Sequence, residues 1–149
     1  MSVGSLCIRE VIVVSRDATV TETAALMRSQ HVGSVVVIDQ IGERQIPVGI
    51  LTDRDIVVEV VATALDPDVI TAGDIMTPSP ITVEEEEDVS DAVQMMCLRG
   101  VRRVPVMTRS GTLVGVLSVN DLLVKYAEDM NILSHLSARQ RRRESKERR

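Results

Sequence analysis

The sequence predicts an α/β protein in which two copies of a β-α-β-β-α unit pack about a pseudo-twofold axis. Three observations predict it: the chain repeats its own pattern, each copy alternates β-branched runs with segments of helical period, and 44% of the 149 residues are hydrophobic. That apolar content is enough to build a core. A copy of about 55 residues is smaller than most domains that fold alone, so we expect the copies to pack together and enclose a cleft.

The repeat becomes visible when residues 11–39 are aligned with residues 80–108 at a constant offset of 69. The first copy then has a longer loop, and the offset falls to 66 for the phrase GILTDRDIV at 49–57, which returns as GVLSVNDLL at 115–123. Because the alignment spans both strand-like and helix-like segments, the two halves share a whole structural plan.

Each copy contains the same predicted elements in the same order. A β-branched run predicts the first strand, apolar residues three or four apart predict a helix, and two strands and a second helix follow. The predicted strands are 11–14, 34–38 and 48–51, then 81–83, 103–107 and 113–117, and the predicted second helices are about 53–64 and 119–127. We expect the first copy at 7–66, a linker at 67–80 with one helical turn at 72–76, the second copy at 81–130 and a basic tail at 131–149.

Composition excludes several classes of function. Tyr126 is the only aromatic residue, so stacking on aromatic side chains cannot hold a base. Cys7 and Cys97 lack metal-site or redox spacing, and the two histidines, His31 and His135, stand alone, so we expect no metal site and no disulfide framework. The chain shows no signal peptide and no apolar run long enough for a membrane span, which favours a cytoplasmic protein.

The net charge of −5 is unevenly distributed along the chain. Residues 138–149 contain seven Lys or Arg and two Glu, a net charge of +5, which leaves residues 1–137 at −10. An acidic body therefore carries a basic tail. The tail either continues the preceding helix or is disordered, and the sequence does not decide between these.

The repeated phrase carries a polar pair in each copy, Thr52 with Asp55 and Ser118 with Asp121. A hydroxyl residue followed three residues later by an acid, where a strand gives way to a helix, is the pattern of a capping box. The same geometry suits a ligand, because a helix N-terminus attracts phosphate and a carboxylate accepts hydrogen bonds from a ribose diol. Both interpretations remain open at this point.

The whole pattern resembles a tandem pair of CBS domains, the Bateman module. The resemblance rests on the doubled plan and on three sets of phrases. GILTDRDIV and GVLSVNDLL close the third strand of each copy, HVGSVVVID and GVRRVPVMT lie at the second strand, and DIMTPSPITV leads into the second copy. It covers residues 7 to about 130. It implies two clefts between the repeats that hold an adenosine-containing ligand such as AMP, ADP, ATP or S-adenosylmethionine.

The resemblance also implies a role for individual residues. Asp55 and Asp121 would bind ribose hydroxyls, while Thr52 and Ser118 would lie near phosphate. Apolar strand walls with main-chain polar groups would recognise the base, which suits a chain almost without aromatic residues. The residues whose backbone would frame adenine are Ile12, Val13, Val35, Val36, Ile81, Thr82, Val104 and Pro105.

The two copies are not equivalent at the phosphate positions. The second copy has Arg102 and Arg103 before its second strand and Thr77 at its entrance, where family members place phosphate contacts. The aligned residues of the first copy are Gly33, Ser34 and Ile8. We therefore expect unequal clefts with phosphate held by the second copy's residues, although each cleft borrows from both repeats. The alternative for the arginines is surface pairing with the acidic body.

These observations predict a non-enzymatic regulatory or sensor module that binds an adenine nucleotide, requires no other cofactor and forms a homodimer. No nucleophile with a base, no Walker sequence and no residues for a separate catalytic domain are present. The alternative is a dimeric scaffold whose basic tail binds nucleic acid or an acidic partner, although two glutamates interrupt the tail and make nucleic acid the weaker expectation. No membrane partner is expected.

Overall fold

The computed structural model describes residues 1–148 and confirms an α/β fold in which the order β-α-β-β-α occurs twice. The chain divides into two compact units, residues 1–117 and a second unit that starts at Ser118. The first copy contains β1 (Val13–Ser15), α1 (Val20–Gln30), β2 (Ser34–Ile41), β3 (Arg44–Thr52) and α2 (Asp53–Ile56), which a π-helical turn extends over Val57–Val61. Between the copies lie α3 (Ala72–Ile75) and β4 (Thr77–Pro78), and the second copy contains β5 (Val83–Glu84), α4 (Val89–Arg99), β6 (Arg103–Met107), β7 (Leu113–Ser118) and α5 (Val119–Glu147).

The strands form two sheets with the orders β1-β2-β3-β4 and β5-β6-β7. In the first sheet β1 is parallel to β2, β2 and β3 form an antiparallel hairpin, and β4 adds to β3 in the antiparallel sense. In the second sheet β5 is parallel to β6. A parallel pair needs a crossover connection, which α1 supplies between β1 and β2 and α4 supplies between β5 and β6.

The crossover helices begin and end at residues suited to those positions. At the start of α1 the hydroxyl of Thr19 accepts a hydrogen bond from the N–H of Glu22 at 3.1 Å, and the carboxylate of Glu22 accepts one from the N–H of Thr19 at 2.9 Å. His31 follows the last residue of α1 and Gly100 follows the last residue of α4, and both adopt the left-handed conformation. Such a residue terminates a helix by satisfying its last carbonyl groups.

The core of the first unit is aliphatic, as the lack of aromatic residues requires. One cluster lies around the first sheet and includes Val35, Val37 and Leu51 with Met27 of α1. A second cluster joins the two sheets, because Val36 and Ile38 of β2 pack with Met107 of β6. Alternate residues of β2 therefore face different clusters, so this strand is buried on both faces.

The segment before each copy pairs with the other copy, which the sequence did not predict. In the linker the N–H of Gly73 donates to the carbonyl of Arg16 at 2.9 Å, and β4 then adds to β3 of the first sheet. At the N-terminus the N–H of Gly4 donates to the carbonyl of Glu85 at 2.8 Å, and Ile8 then pairs with β7 of the second sheet. Residues 77–78 of the segment 67–80, which we expected to be a linker, thus form the fourth strand of the first sheet.

Helix α5 extends through the basic tail, which settles the choice that the sequence left open. It has 29 residues and ends at Glu147, rather than near residue 127. Strong helix formers fill its second half without glycine or proline, and the pair Arg143 and Glu147 adds an ion pair one turn apart. In the described part of the chain, no helix is both long and apolar enough to cross a bilayer.

Candidate functional site

The first polar pair closes a capping box at the junction of β3 and α2. The hydroxyl oxygen of Thr52 accepts a hydrogen bond from the N–H of Asp55 at 3.1 Å, and Oδ2 of Asp55 accepts one from the N–H of Thr52 at 2.8 Å. Both residues are half-buried. The pair therefore stabilises the start of the helix and holds the Asp55 carboxylate in one orientation. We call this junction the first corner.

The second polar pair has the same arrangement at the junction of β7 and α5, which we call the second corner. The hydroxyl oxygen of Ser118 accepts a hydrogen bond from the N–H of Asp121 at 3.3 Å. Oδ2 of Asp121 accepts two hydrogen bonds, from the N–H of Ser118 at 2.9 Å and from the hydroxyl of Ser118 at 2.5 Å. The capping interpretation of the repeated phrase is thus confirmed in both copies.

Capping leaves one oxygen of each carboxylate without a protein partner. Oδ1 of Asp55 and Oδ1 of Asp121 take part in no hydrogen bond or ion pair within residues 1–148. A third T-x-x-D phrase, Thr71 to Asp74, also starts a short helix, where Oδ2 of Asp74 accepts from the N–H of Thr71 at 2.9 Å. The phrase alone therefore identifies a helix start, and a ligand site needs further surroundings.

Neighbouring strands surround the first corner. Thr52 is paired with Ser34 at the start of β2, and the N–H of Asp53 donates to the carbonyl of Gly33 at 3.0 Å. Val36, two residues further along β2, is paired with Ile50. The predicted residues Val35 and Val36 thus lie on the strand next to the corner.

Thr77 belongs to the first corner's sheet, although the sequence analysis assigned it to the second copy. It is the first residue of β4 and is paired with Ile50, two residues before Thr52. The corresponding residue of the N-terminal segment, Ile8, is bridged to Val116, two residues before Ser118. The sequence left open which corner Thr77 adjoins. Because each leading segment crosses to the other copy, proximity in sequence does not indicate the neighbouring corner.

Asp53 is a charged residue near the first corner that sequence reasoning missed. Its side chain is exposed, and a Cβ atom at Gly33 would lie only 3.0 Å from its Oδ2. The aligned positions of the second copy are Val119 and Arg102. The first corner therefore has an additional carboxylate next to a glycine, and the alignment of the two phrases contained this difference.

The two arginines lie at the start of β6. Arg102 is exposed and Arg103 is half-buried. Neither side chain forms an ion pair or a hydrogen bond with any other residue between 1 and 148, so the expected alternative of pairing with the acidic body is not observed. Their guanidinium groups are available to an anion.

The residues predicted to frame a base lie on or next to the first two strands of each copy. In the first copy the carbonyl of Ile12 accepts a hydrogen bond from the N–H of Val36 at 3.1 Å, and Val13 is paired with Val36. In the second copy the aligned positions are Ile81 and Pro105, and proline has no N–H to donate. The carbonyl of Ile81 therefore lacks that strand partner, and the two copies differ along this edge.

The remaining framing residues differ in exposure. Val104 and Pro105 are fully buried within β6, whereas Thr82 is exposed just before β5. The side chains of the buried pair therefore belong to the core. Within the part of the chain that the structure describes, no group of His, Cys, Asp or Glu is arranged to hold a metal ion.

The fold and the two corners define a tandem α/β repeat protein with a polar pair after the third strand of each copy. Residues 3–62 and 72–128 each match the CBS domain family, so the chain belongs to this family and contains two CBS repeats. The recognition made from the sequence motifs is thus confirmed.

Individual relatives share this organisation. An uncharacterized protein of Methanopyrus kandleri is 41% identical over 123 residues, which cover 83% of this chain but 61% of that protein, less than two thirds of its length. The CBS domain-containing protein YhcV of Bacillus subtilis is 30% identical over 123 residues, covering 83% of this chain and 84% of that protein. A CBS domain protein from Pyrobaculum aerophilum, solved in complex with AMP, is 30% identical with a TM-score of 0.75, covering 90% of this chain and 99% of that one.

Proposed function

We propose that this chain is a non-enzymatic regulatory module whose CBS repeats bind an adenosine-containing ligand, AMP, ADP, ATP or S-adenosylmethionine. The observation that carries the proposal is the uncapped Oδ1 of Asp55 and of Asp121, held in place at the start of a helix in each copy. The similarity to a CBS domain protein complexed with AMP supports the same ligand class. A homodimer in the cytoplasm, expected from the sequence, is part of the proposal.

In this proposal the helix-capping bond prepares the carboxylate for the ribose. Because Oδ2 of Asp55 is fixed by the N–H of Thr52, Oδ1 has a fixed direction in which to accept the two hydroxyl groups of a ribose. A side chain that is already ordered loses little conformational entropy when the ligand binds. A ligand that prefers one arrangement of the repeats then changes the population of that arrangement, which is the signal.

We propose that the two corners differ in their affinity for ligands with different numbers of phosphate groups. The hydroxyl of Thr77 lies on the strand next to the first corner and would donate to a phosphate oxygen, whereas Ile8 is the corresponding residue beside β7 and cannot. Asp53 adds a negative charge near the first corner, which opposes a highly charged phosphate chain. We therefore propose that the first corner takes a monophosphate in preference to a triphosphate.

Isothermal titration with AMP, ADP, ATP, NADH and S-adenosylmethionine tests the proposal. Asp55→Asn keeps an acceptor for the N–H of Thr52 but removes the charge that binds the diol, so it separates ligand binding from capping. A lost charge-assisted hydrogen bond corresponds to about 1.5–3 kcal/mol, or roughly a tenfold to hundredfold loss of affinity.

The matched control is Asp74→Asn, which changes the third T-x-x-D phrase and leaves both corners intact. We expect the control to bind like the unchanged protein, and Asp55→Asn combined with Asp121→Asn to bind far more weakly. The assignment of the aspartates is wrong if the double variant retains full affinity. The ligand class is wrong if none of the five compounds binds below millimolar concentration.

A further inference from the structure

The last turns of α5 form a strongly basic helix end. Residues 137–148 contain five Arg, one Lys and two Glu, and Ala138 is the only apolar residue among them. All of these residues are exposed, and α5 continues through them as regular helix to Glu147. The positions of the charges around the helix axis are therefore fixed, which a disordered tail would not provide.

Four of the cations share one side of the helix. At about 100° per residue they fall within an arc of about 100°, and they line one surface depression together with Glu147. We call these four residues the α5 basic face: Arg139, Arg142, Arg143 and Lys146. The helical period places the remaining cations, Arg141 and Arg148, on the opposite side of the same turns.

The two glutamates interrupt the basic sequence but not the α5 basic face. Glu144 lies about 100° around the helix from Arg143, and its Oε1 accepts a hydrogen bond from the amide of Gln140 at 3.3 Å. Glu147 lies at the edge of the face, where its Oε1 is 2.8 Å from Nε of Arg143. The other three members of the face form no ion pair with any residue between 1 and 148. Their positive charges are therefore available to an anion.

Stability of the helix does not account for these cations. The helix dipole favours cations at the C-terminus, but this effect falls off within the last turn, and Arg139 and Arg142 lie more than one turn before Glu147. Asp129, the nearest acid toward the start of α5, is about 15 Å away along the axis, beyond the screening length of about 8 Å at physiological salt. The α5 basic face therefore has a positive potential that its own helix does not neutralise.

The composition of the helix end favours one class of anionic partner. An acidic protein is usually held by apolar or aromatic anchors, and a membrane surface by apolar residues on the same turns as the cations. Residues 137–148 supply neither of these, and they also lack the aromatic side chains on which single strands stack. A nucleic acid duplex needs no apolar contact, because its phosphates dominate affinity and present one charge per about 1.7 Å of axis.

The width of the α5 basic face distinguishes DNA from RNA. Arg142 and Arg143 lie at its two edges, with Arg139 and Lys146 between them. The major groove of DNA is about 12 Å wide, admits an α-helix and has a phosphate strand on either side, whereas the major groove of an RNA duplex is deep and narrow. A helix at the mouth of the DNA groove brings one edge of the face toward each strand.

We propose that the α5 basic face is a binding surface for duplex DNA, which it contacts through the phosphate backbone without reading the base sequence. The surface goes beyond the proposed ligand binding and does not depend on it, because it contains none of the candidate ligand residues. Arginine suits this role, since its planar guanidinium group can donate two parallel hydrogen bonds to one phosphate.

Fluorescence anisotropy of a labelled DNA duplex, titrated with the full-length protein at several salt concentrations, tests the proposal. Four phosphate contacts predict that log K falls with log salt concentration at a slope of about −3.6 for each bound copy. Arg139→Gln combined with Arg142→Gln removes two contacts. The slope should then be shallower by about 1.8, with at least about a tenfold loss of affinity near 50 mM salt.

The matched control is Arg141→Gln combined with Arg148→Gln, which removes the same charge from the opposite side of the same turns. Glutamine is a strong helix former, so neither double variant is expected to unfold α5, which circular dichroism checks. We expect the control to keep the slope of the unchanged protein and its affinity to within about threefold. The AMP affinity of both double variants should equal that of the unchanged protein, so the DNA proposal and the nucleotide proposal fail separately.

Four results would overturn the proposal. The first is an unchanged protein that does not bind the duplex at concentrations up to about 100 μM near 50 mM salt. The second is an equal loss of affinity in the two double variants, which would reduce the effect to net charge. The third is tighter binding to an RNA duplex than to the DNA duplex. The fourth is displacement of the DNA by polyglutamate or phosphatidylserine vesicles at equal charge concentration.

Discussion

Gly49→Ala tests whether the segment that contains Met76 and β4 packs against β3 of the first sheet. Gly49 is a buried residue of β3 and is paired with Pro78 of β4. A Cβ atom at this position would lie 2.3 Å from Sδ of Met76, 2.7 Å from its Cγ and 3.0 Å from its Cβ. All three contacts are shorter than van der Waals distance allows, and all three atoms belong to the residue immediately before β4. The added methyl group must therefore displace Met76.

The expected loss of stability follows from two opposing contributions. Overpacking of this kind costs about 1–3 kcal/mol, while the smaller conformational entropy of alanine in the unfolded chain restores about 0.4–1 kcal/mol. The net loss is then about 1–2 kcal/mol. For a protein of this size, thermal unfolding should shift downward by about 2–8 °C. Far-UV circular dichroism on heating measures the shift.

A double-mutant cycle with Met76→Ala shows whether the clash has the predicted source. Truncation removes Sδ and Cγ, so Gly49→Ala should cost much less in the Met76→Ala background, with a coupling of about 1 kcal/mol. Additive effects of the two changes, or an unchanged unfolding temperature for Gly49→Ala, would contradict the placement of the linker against β3.

The second copy supplies the contrasting case at Gly115. A Cβ atom there would lie 2.6 Å from Sγ of Cys7 and 3.0 Å from the carbonyl oxygen of Ile8. That carbonyl is main chain and accepts a hydrogen bond from the N–H of Val116 at 2.9 Å. Truncating Cys7 can therefore relieve only part of the strain, so Cys7→Ala should rescue Gly115→Ala less well than Met76→Ala rescues Gly49→Ala.

Two further changes test the first corner and the N-terminal contact of the second copy. Thr77→Val should weaken AMP binding about tenfold and leave adenosine binding unchanged, because only the phosphate contact is lost. An equal loss of affinity for both ligands in calorimetry would contradict a contact between Thr77 and the phosphate. The N–H of Ser90 and the N-terminal ammonium group lower the pKa of Asp88 to about 2 from its ordinary 3.8. The ionised carboxylate of Asp88 therefore stabilises the fold above pH 3.8, and this contribution is lost as the pH falls toward 2. Asp88→Asn should therefore unfold at a lower temperature than the unchanged protein at neutral pH, and the difference should vanish near pH 2.

The sequence predicted the elements that depend on local pattern. The offset of 69 aligns α1 with α4, and the spacing of the apolar residues in these segments predicted both helices. The strand expected at 103–107 is observed as β6 with the same limits, and the phrase after the third strand of each copy correctly indicated a helix start. These features are set by period and by capping, which a single segment contains.

What the sequence could not predict depends on contacts between distant segments. Strand β4 has two residues, too short for any period, and it exists because β3 offers it hydrogen bonds. The sequence therefore left open which corner Thr77 adjoins. The first strands, β1 and β5, are also shorter than expected, since their pairing with β2 and β6 rather than their β-branched composition decides where they end.

Capping and ligand binding are not competing explanations of the repeated phrase. A carboxylate has two oxygens, and in Asp55 one of them accepts from the N–H of Thr52 while the other has no partner in residues 1–148. If the ordered cap prepares the ligand contact, removing it should reduce affinity even though the carboxylate remains. Thr52→Ala removes the hydroxyl that accepts from the N–H of Asp55 and costs about 1 kcal/mol of helix stability.

Asp74 separates the two roles, because its carboxylate also accepts from the N–H three residues before it, whereas Thr71 does not end a strand of either sheet. Thr71→Ala should therefore change stability without changing AMP affinity, whereas Thr52→Ala should change both. If calorimetry shows that Thr52→Ala binds AMP as well as the unchanged protein does, the cap contributes only to stability, and the orientation of Asp55 must come from the sheet rather than from the helix start.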